Sequence, residues 1–395
     1  MALSTKPRVV IIGCGIVGAT IAYELGRGEQ FDVTVLERQP KAPAIAPDAI
    51  ATYRTGTPGA LGMLMGVVSQ KTQGRAWDLR EASLRRFHSL IPELESLTGT
   101  KVAHNEHGLL KLCGPDDDLA QWEKLAAQRK EQGWPLEVLG TDAIAGTYPQ
   151  VSMGALGGVA FGIYSPQDWQ VQPISLLTAL VSGARHHGVK FSFGTTVTAL
   201  HPQGDSIRVE LADAEKGATP LAPIGADWLV VAAGLGSSAI AATVEDPAPL
   251  TLQPVLGQAA RLQLERPMAM REPAITGDDV HVVPLGGGGY WVGATVEFVE
   301  LNEGDATTAP TPDPDRWQTV LEAAIALCPD LASATMTQTW SGLRPRPVGQ
   351  PAPIIQPLAS CDRIWLATGH YRNGVLLAPA TAEAIATALR QAAVA

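Results

Sequence analysis

The residues with the most legible chemistry open the chain: Gly13-Cys14-Gly15-Ile16-Val17-Gly18, directly after the apolar run 8–12. Glycines at this spacing let a backbone approach a pyrophosphate, and the helix that follows offers unpaired N–H groups and partial positive charge. Glu37 ends the next apolar run, 19 residues after Gly18, where an acid can accept hydrogen bonds from a ribose. An acid there favours an unphosphorylated ribose, hence NAD or FAD over NADP. Two more segments, Ala232-Ala233-Gly234 and the stretch 367–379, put small residues at the ends of buried-type strands. Ligands sit at such ends in open α/β sheets, although ordinary close packing uses the same residues. A helix starting near 374–380 would also stabilise negative charge on a reduced flavin ring. In Trp340-Ser-Gly-Leu-Arg-Pro345, Arg344 stands between a Trp-bearing strand and an expected Pro turn. It is able to pair bidentately with a carboxylate, and equally to make a surface salt bridge.

These residues need elements to hold them. The pattern predicts strands over 8–12 and 31–37 around a helix over 19–25, a parallel β-α-β opening. A helical period runs over 75–97, a strand pair over 101–113, and helices over 116–132 and 172–184, the last opened by a favourable Pro173. Further strands are expected over 159–163, 189–193, 197–200, 227–234 and 364–369, and helices over 317–327 and 380–393. Alternation with turn signals over 252–296 predicts a mostly antiparallel sheet. Parallel-type strands at the start, middle and end of the chain imply one discontinuous nucleotide domain. Its expected parts are 1–80, 165–245 and 345–395, with a second domain, 81–164 and 246–344, inserted between them.

Composition narrows the function. With 395 residues, 46% hydrophobic and 17% charged, the chain supports two to three domains and a large core, which excludes disorder. A net charge of −10 and no Lys/Arg run argue against a nucleic-acid face, so a bound anion must be held by a few placed cations. Cys14, Cys113, Cys328 and Cys361 lack metal spacing and are too few for a disulfide framework, which fits a reducing cytoplasm. No signal peptide is expected, and the longest uncharged stretch, 228–244, is short for a membrane span. His104, Glu106 and His107 read as strand-turn residues, His186 and His187 as helix-end charges, and Gly286 to Gly289 as a hairpin turn; no metal site is expected.

In order, the glycine motif with Glu37, Ala232-Ala233-Gly234, Trp340-Ser-Gly-Leu-Arg-Pro345 and Gly369-His-Tyr-Arg-Asn-Gly374 resemble the glycine/D-amino acid oxidase family of FAD-dependent oxidoreductases. The last two are most similar to the glycine oxidases of thiamine biosynthesis. The resemblance spans residues 8 to about 390 and implies an α/β fold. A Rossmann-type FAD domain would lie beside an α+β substrate domain with a large, mostly antiparallel sheet. It implies noncovalent FAD held by Gly13, Gly15, Ile16, Val17, Gly18, Glu37 and Arg38. Gly62, Met63 and Leu64 would form the flavin-side loop, and the Val197 backbone would meet the adenine. Ala233, Gly234, Gly369, Asn373, Gly374, Val375 and Leu376 would complete the cofactor contacts. Arg344 matches the arginine that pairs with an amino acid carboxylate, and Arg372 a second arginine near the substrate mouth. His281, in His-Val-Val-Pro284, stands where the family often carries a Tyr that helps hold the carboxylate. His370 reads as a packing residue near the flavin.

The implied reaction is oxidative deamination of glycine, sarcosine or a D-amino acid. A hydride passes to flavin N5, the imine hydrolyses to a keto acid and ammonia, and O2 reoxidises the flavin to give H2O2. Positioning supplies the rate without a protein base at the hydride step, in keeping with the lack of paired carboxylates or a Ser/His/Asp set. Alternatives are an FAD-dependent dehydrogenase passing electrons to a quinone or carrier, and an FAD-binding protein without turnover. A plain NAD dehydrogenase suits the three distant glycine-bearing segments less well. His281, the loop 55–64 and the stretch 69–77 depart from the family pattern, and a homo-oligomer stays open.

Overall fold

The computed structural model describes residues 6–41, 55–299 and 311–393. Strand Arg8–Ile12 is buried on both faces from Val9 onward, as a central parallel strand must be. It pairs in parallel with Asp32–Glu37 on one side and Trp228–Val231 on the other. Lys190–Phe193 extends the sheet beyond the first, and Cys361–Thr368 beyond the second, both in parallel. Ile354–Leu358 closes the far edge antiparallel, making six strands. Alternation sorts the side chains: Val9 and Ile11 pack with helices Ile16–Arg27, Arg75–Thr98, Pro173–His186 and Gly374–Ala392. Val10 and Ile12 instead face Leu200, Ile207 and Val209 of a small three-stranded antiparallel sheet.

A nine-stranded sheet, built from segments between Leu109 and Pro347, forms the other large layer. Among the described residues its only parallel pairing joins Ala274–Gly277 to Leu109–Cys113. The same two-residue period divides its core. Val282, Tyr290 and Val292 pack with Val320, Ala324 and Leu327 of helix Pro314–Leu327. Ala259, Val283, Trp291 and Trp340 face the other way, against Leu61. His281 shares its strand face with Val283, and Arg344 shares its own with Trp340, so both chemical side chains lie on the face toward residue 61.

Several expectations change. The segments around 101–113 do not pair with each other: His104–Asn105 pairs with Gln170–Val171, while Leu109–Cys113 pairs with Phe161–Ser165. Long-range partners outcompete the local hairpin. No turn follows Arg344, because strand Thr335–Pro347 continues through both prolines. Among the described residues it pairs on one side only, with Leu252–Gln263, so an edge position tolerates the missing N–H groups. The last helix begins at Gly374, the early end of the 374–380 range expected for its start, and carries Pro379 inside it. Three expected domain edges fall inside elements: residue 80 within helix Arg75–Thr98, residue 164 within strand Phe161–Ser165 and residue 344 within strand Thr335–Pro347.

Candidate active site

Gly13 leaves the first strand at φ +102°, with its N–H donating to Leu36 O at 2.8 Å. A side chain there would meet the Ala232 carbonyl at 2.6 Å, and one at Gly18 would meet Gly13 O at 2.0 Å. Close approach of three backbones therefore explains those two glycines. Helix Ile16–Arg27 has no acid in its first turn and no side-chain cap. Its terminal N–H groups are thus available to an anion, apart from Ile16 N–H, which donates to Thr57 Oγ1 at 3.0 Å. Glu37 accepts from the Cys14 N–H at 2.6 Å and the Gln39 N–H at 2.8 Å. A carboxylate has about four lone-pair sites, so acceptor capacity remains for ribose hydroxyls. This cradle fits a dinucleotide. Arg38 beside it is exposed, while Val197 is buried in strand Thr195–Gln203.

The other strand ends converge on the same edge. Ala232 N–H donates to Ile12 O, and Gly234 takes φ +57° in a short 3-10 turn. Thr368 Oγ1 donates to Gly234 O at 3.1 Å, tying the strand at 228–231 to the strand at 361–368. Gly369 then turns at φ +67°, where a Cβ would meet Pro347 at 2.7 Å. Asn373 precedes helix Gly374–Ala392, whose early residues Val375 and Leu376 are buried. His370 is buried against the Thr381 hydroxyl at 2.9 Å, and burial pushes its pKa down to about 3. It is neutral at ordinary pH.

Arg344 lies across the sheet from Val255. Its guanidinium lies over Gly257, where a Cβ would stand 2.1 Å from Nη2. Nη1 donates to the Leu256 and Thr295 carbonyls at 3.2 and 2.9 Å. Among the described residues Nη2 and Nε have no hydrogen-bond partner, and no carboxylate forms an ion pair with the group. Burial, and after it the charge of Arg372, lowers its pKa to about 10, so it stays cationic. Glu297 is the nearby buried acid, but its oxygens accept from Thr295 Oγ1, Gln258 Nε2 and the Asp313 N–H.

Arg372 is paired instead, with both terminal nitrogens on Asp279 at 3.2 Å. Asp278 and Asp279 form the two-residue turn before strand Val280–Gly286, at φ 45° and 62°, the geometry of a tight hairpin. His281 follows on that strand, buried, with Nδ1 lacking a partner. Burial first and then Arg372 push its pKa down to about 4. It therefore offers a carboxylate a neutral imidazole, not a second charge.

One segment links the two ends. After Thr57, Gly59 packs backbone to backbone against Gly342, 2.7 Å from where its Cβ would be, and Trp340 Nε1 donates to Gly59 O. Gly62, at φ +73°, accepts from the Val171 N–H, and Met63 bridges to Gln170. Leu64 is buried. Thr57, Gly257, Asp279, Glu297, Asp168 and Arg129 were not singled out in the sequence. Gly257 alone carried a signal: a glycine inside a strand marks a close approach.

Residues 8–388 match the family described as DAO, FAD dependent oxidoreductase. The chain is 31% identical to the bifunctional protein ThiO/ThiG of Synechocystis sp. over 97% of its own length and 51% of that protein's. It thus spans about half the length of that relative. It is 26% identical to a glycine oxidase of Bacillus licheniformis, covering 95% of this chain and 91% of the relative. In fold it is similar to the crystal structure of glycine oxidase from Geobacillus kaustophilus, with a TM-score of 0.79 at 23% identity, covering 98% and 95% of the two chains.

Proposed function

The chain belongs to the DAO family of FAD-dependent oxidoreductases, and from that premise we propose that it oxidises a small amino acid at its carbon–nitrogen bond. One observation carries the substrate class: Arg344 is a half-buried cation with a partner-free edge, on the sheet face toward residue 61. A carboxylate of a small ligand satisfies that edge, and a half-buried guanidinium with no such ligand wastes its desolvation. FAD, when bound, supplies the electron-pair acceptor. The proposed contacts are the helix N-terminus and Glu37 at the ribose and phosphate end. Gly62 to Leu64, Ala233, Gly234 and the turn from Gly369 to Leu376 would surround the rest, with no covalent bond to the protein.

The chain's own task is then positioning. Arg344 fixes the carboxylate, and His281 offers a neutral hydrogen-bonding edge beside it. Arg372, already neutralised by Asp279, lines the approach. The site so holds one uncompensated cation toward the ligand, which suits a monocarboxylate such as glycine, sarcosine or a D-amino acid. After imine hydrolysis the products are a 2-oxo acid and ammonia from a primary amine, or methylamine from sarcosine, with O2 as the proposed acceptor. The glycine oxidase names among the relatives support this reading. We also assign the reaction to the cytoplasm, on cysteine usage, and the division into cofactor and substrate units to the two large sheets.

Anaerobic mixing with glycine, sarcosine, D-alanine, D-proline and L-amino acids tests the proposal through the visible flavin band. Bleaching by glycine, sarcosine or a D-amino acid supports it. A yellow protein that none of them bleaches overturns the substrate class and leaves the family intact. Admission of air after bleaching separates the acceptors: rapid recovery of the band supports O2, and recovery only with an added quinone supports a carrier.

A further inference from the structure

Two opposite charges are buried outside the site described above, and among the described residues neither forms an ion pair with a group of opposite sign. Arg129 and Asp168 are both fully buried, at 0% exposure, and are not in direct ion-pair contact with each other. What separates them is a backbone segment. Asp168 accepts the N–H groups of Gly66, Val67 and Val68 at 2.7, 2.8 and 2.8 Å. Arg129 donates to the carbonyls of Val67, Ser69 and Lys71 at 2.9, 2.8 and 2.8 Å. The peptide between Val67 and Val68 therefore sits between them, its C=O on the cation and its N–H on the anion.

Such an arrangement is costly for a loop, since surface loops satisfy these groups with water. Here the guanidinium is held further by Gln132 Oε1 at 2.7 Å and lies 3.5 Å over the Trp77 ring. The clamped stretch runs into 69–77, the part of the chain that departs from the family pattern. It also leads directly to Gly62, Met63 and Leu64. Those residues are fixed by the chain next to Asp168: Leu64 N–H donates to Trp169 O, and Val171 N–H to Gly62 O. Arg129 itself comes from helix Leu119–Glu131, so one helix reaches the loop across the fold.

We propose that Arg129 and Asp168 are positioning residues for the cofactor, a cation–peptide–anion clamp that sets the shape of residues 61–71 against the bound flavin. The proposal rests on the reading that Gly62 to Leu64 face FAD. Its consequence is that flavin affinity and the flavin environment depend on two side chains that touch neither flavin nor substrate.

The test uses the purified holoenzyme and the variants Arg129→Lys, Asp168→Asn and Gln132→Leu, with Leu331→Ala as a destabilised control far from the loop. The readouts are the FAD dissociation constant, the circular dichroism of the visible flavin band and the melting temperature. Arg129→Lys and Asp168→Asn are expected to weaken FAD binding about tenfold or more and to change the flavin dichroism. Gln132→Leu, which removes one acceptor of the guanidinium, should move both in the same direction by about threefold. The control should lower the melting temperature and leave FAD affinity and dichroism as they are. If Arg129→Lys and Asp168→Asn melt lower but keep the FAD constant within about twofold and the dichroism unchanged, the clamp is merely structural and the proposal falls. If either fails to fold, Gln132→Leu decides by the same two readouts. A wild-type chain that takes up no FAD overturns the underlying reading first, and that result is distinct from any variant's.

Discussion

The two ends of the site are made of different material. The dinucleotide end is mostly backbone: close approach brings Gly13, Gly18 and Ala232 together, and its acid, Glu37, is itself held by two N–H groups. The substrate end is side chain: Arg344, His281 and Arg372 come from two sheet strands and a turn, on a floor cleared by Gly257. Backbone sites satisfy themselves and need only steric room. Side-chain sites hold unspent charge and desolvated groups, so they carry the chemistry and the cost.

Separate substitutions should break the two ends independently. Arg344→Ala is expected to lower kcat/KM for the amino acid about a thousandfold through KM, with flavin still bound, because a desolvated charged contact is lost. Steady-state kinetics beside a flavin titration checks it; loss of flavin would make Arg344 structural. Gly18→Ala should do the reverse, since its Cβ would meet Gly13 O at 2.0 Å. The protein should purify colourless, with Arg344 untouched.

Acid distinguishes the ends less cleanly, because each buries a neutral histidine. His281 and His370 have folded pKa values near 4 and 3, below the ordinary 6.5. Depressed histidines contribute stability that is complete above pH 6.5 and lost as pH falls through the folded values. The shifts correspond to about 3 kcal/mol for His281 and about 5 kcal/mol for His370. Asp168 works the other way: its pKa is raised to about 6, so its share is present at low pH and lost as pH rises from about 4 to 6. Denaturant melts between pH 7 and 4 should show a net loss, and His281→Gln should flatten it. An unchanged slope in that variant would show that His281 is not buried as described.

Gly257→Ala sharpens the substrate end alone. Its Cβ would stand 2.1 Å from Arg344 Nη2, so the guanidinium must move. A KM increase of about tenfold with normal flavin content is expected. Smallest is Asp279→Asn, which releases Arg372. Discrimination between monocarboxylate and dicarboxylate amino acids should shift by about threefold toward the latter, read from kcat/KM ratios.

Legibility in the sequence followed the same division. The glycine motif, Glu37 and the parallel strands could be read because steric demands select residue types at fixed spacing. Arg344 was legible as a cation near a tryptophan, but its expected turn was wrong: an edge strand hides the usual meaning of proline. Gly257 meets Arg344 through strand pairing, and Asp279 meets Arg372, across some ninety residues, which no local pattern records. Arg129 repeats the lesson. It lies on the buried face of its helix with Trp122 and Leu125, at spacings that suit a core residue, and only its charge is out of place.

The six-stranded sheet bears on how the chain is made. Its central strand Arg8–Ile12 requires Trp228–Val231 at its side, and that strand requires Cys361–Thr368. During synthesis Trp228–Val231 therefore stays half-paired until Cys361–Thr368 has been made. Non-local pairing of this kind folds slowly and leaves strand edges open meanwhile. A nascent chain stopped before residue 361 would lack both that strand and the helix Gly374–Ala392 that covers it. Removal of residues 361–393 should thus give an aggregating product, because the cofactor cradle closes only once that segment is in place.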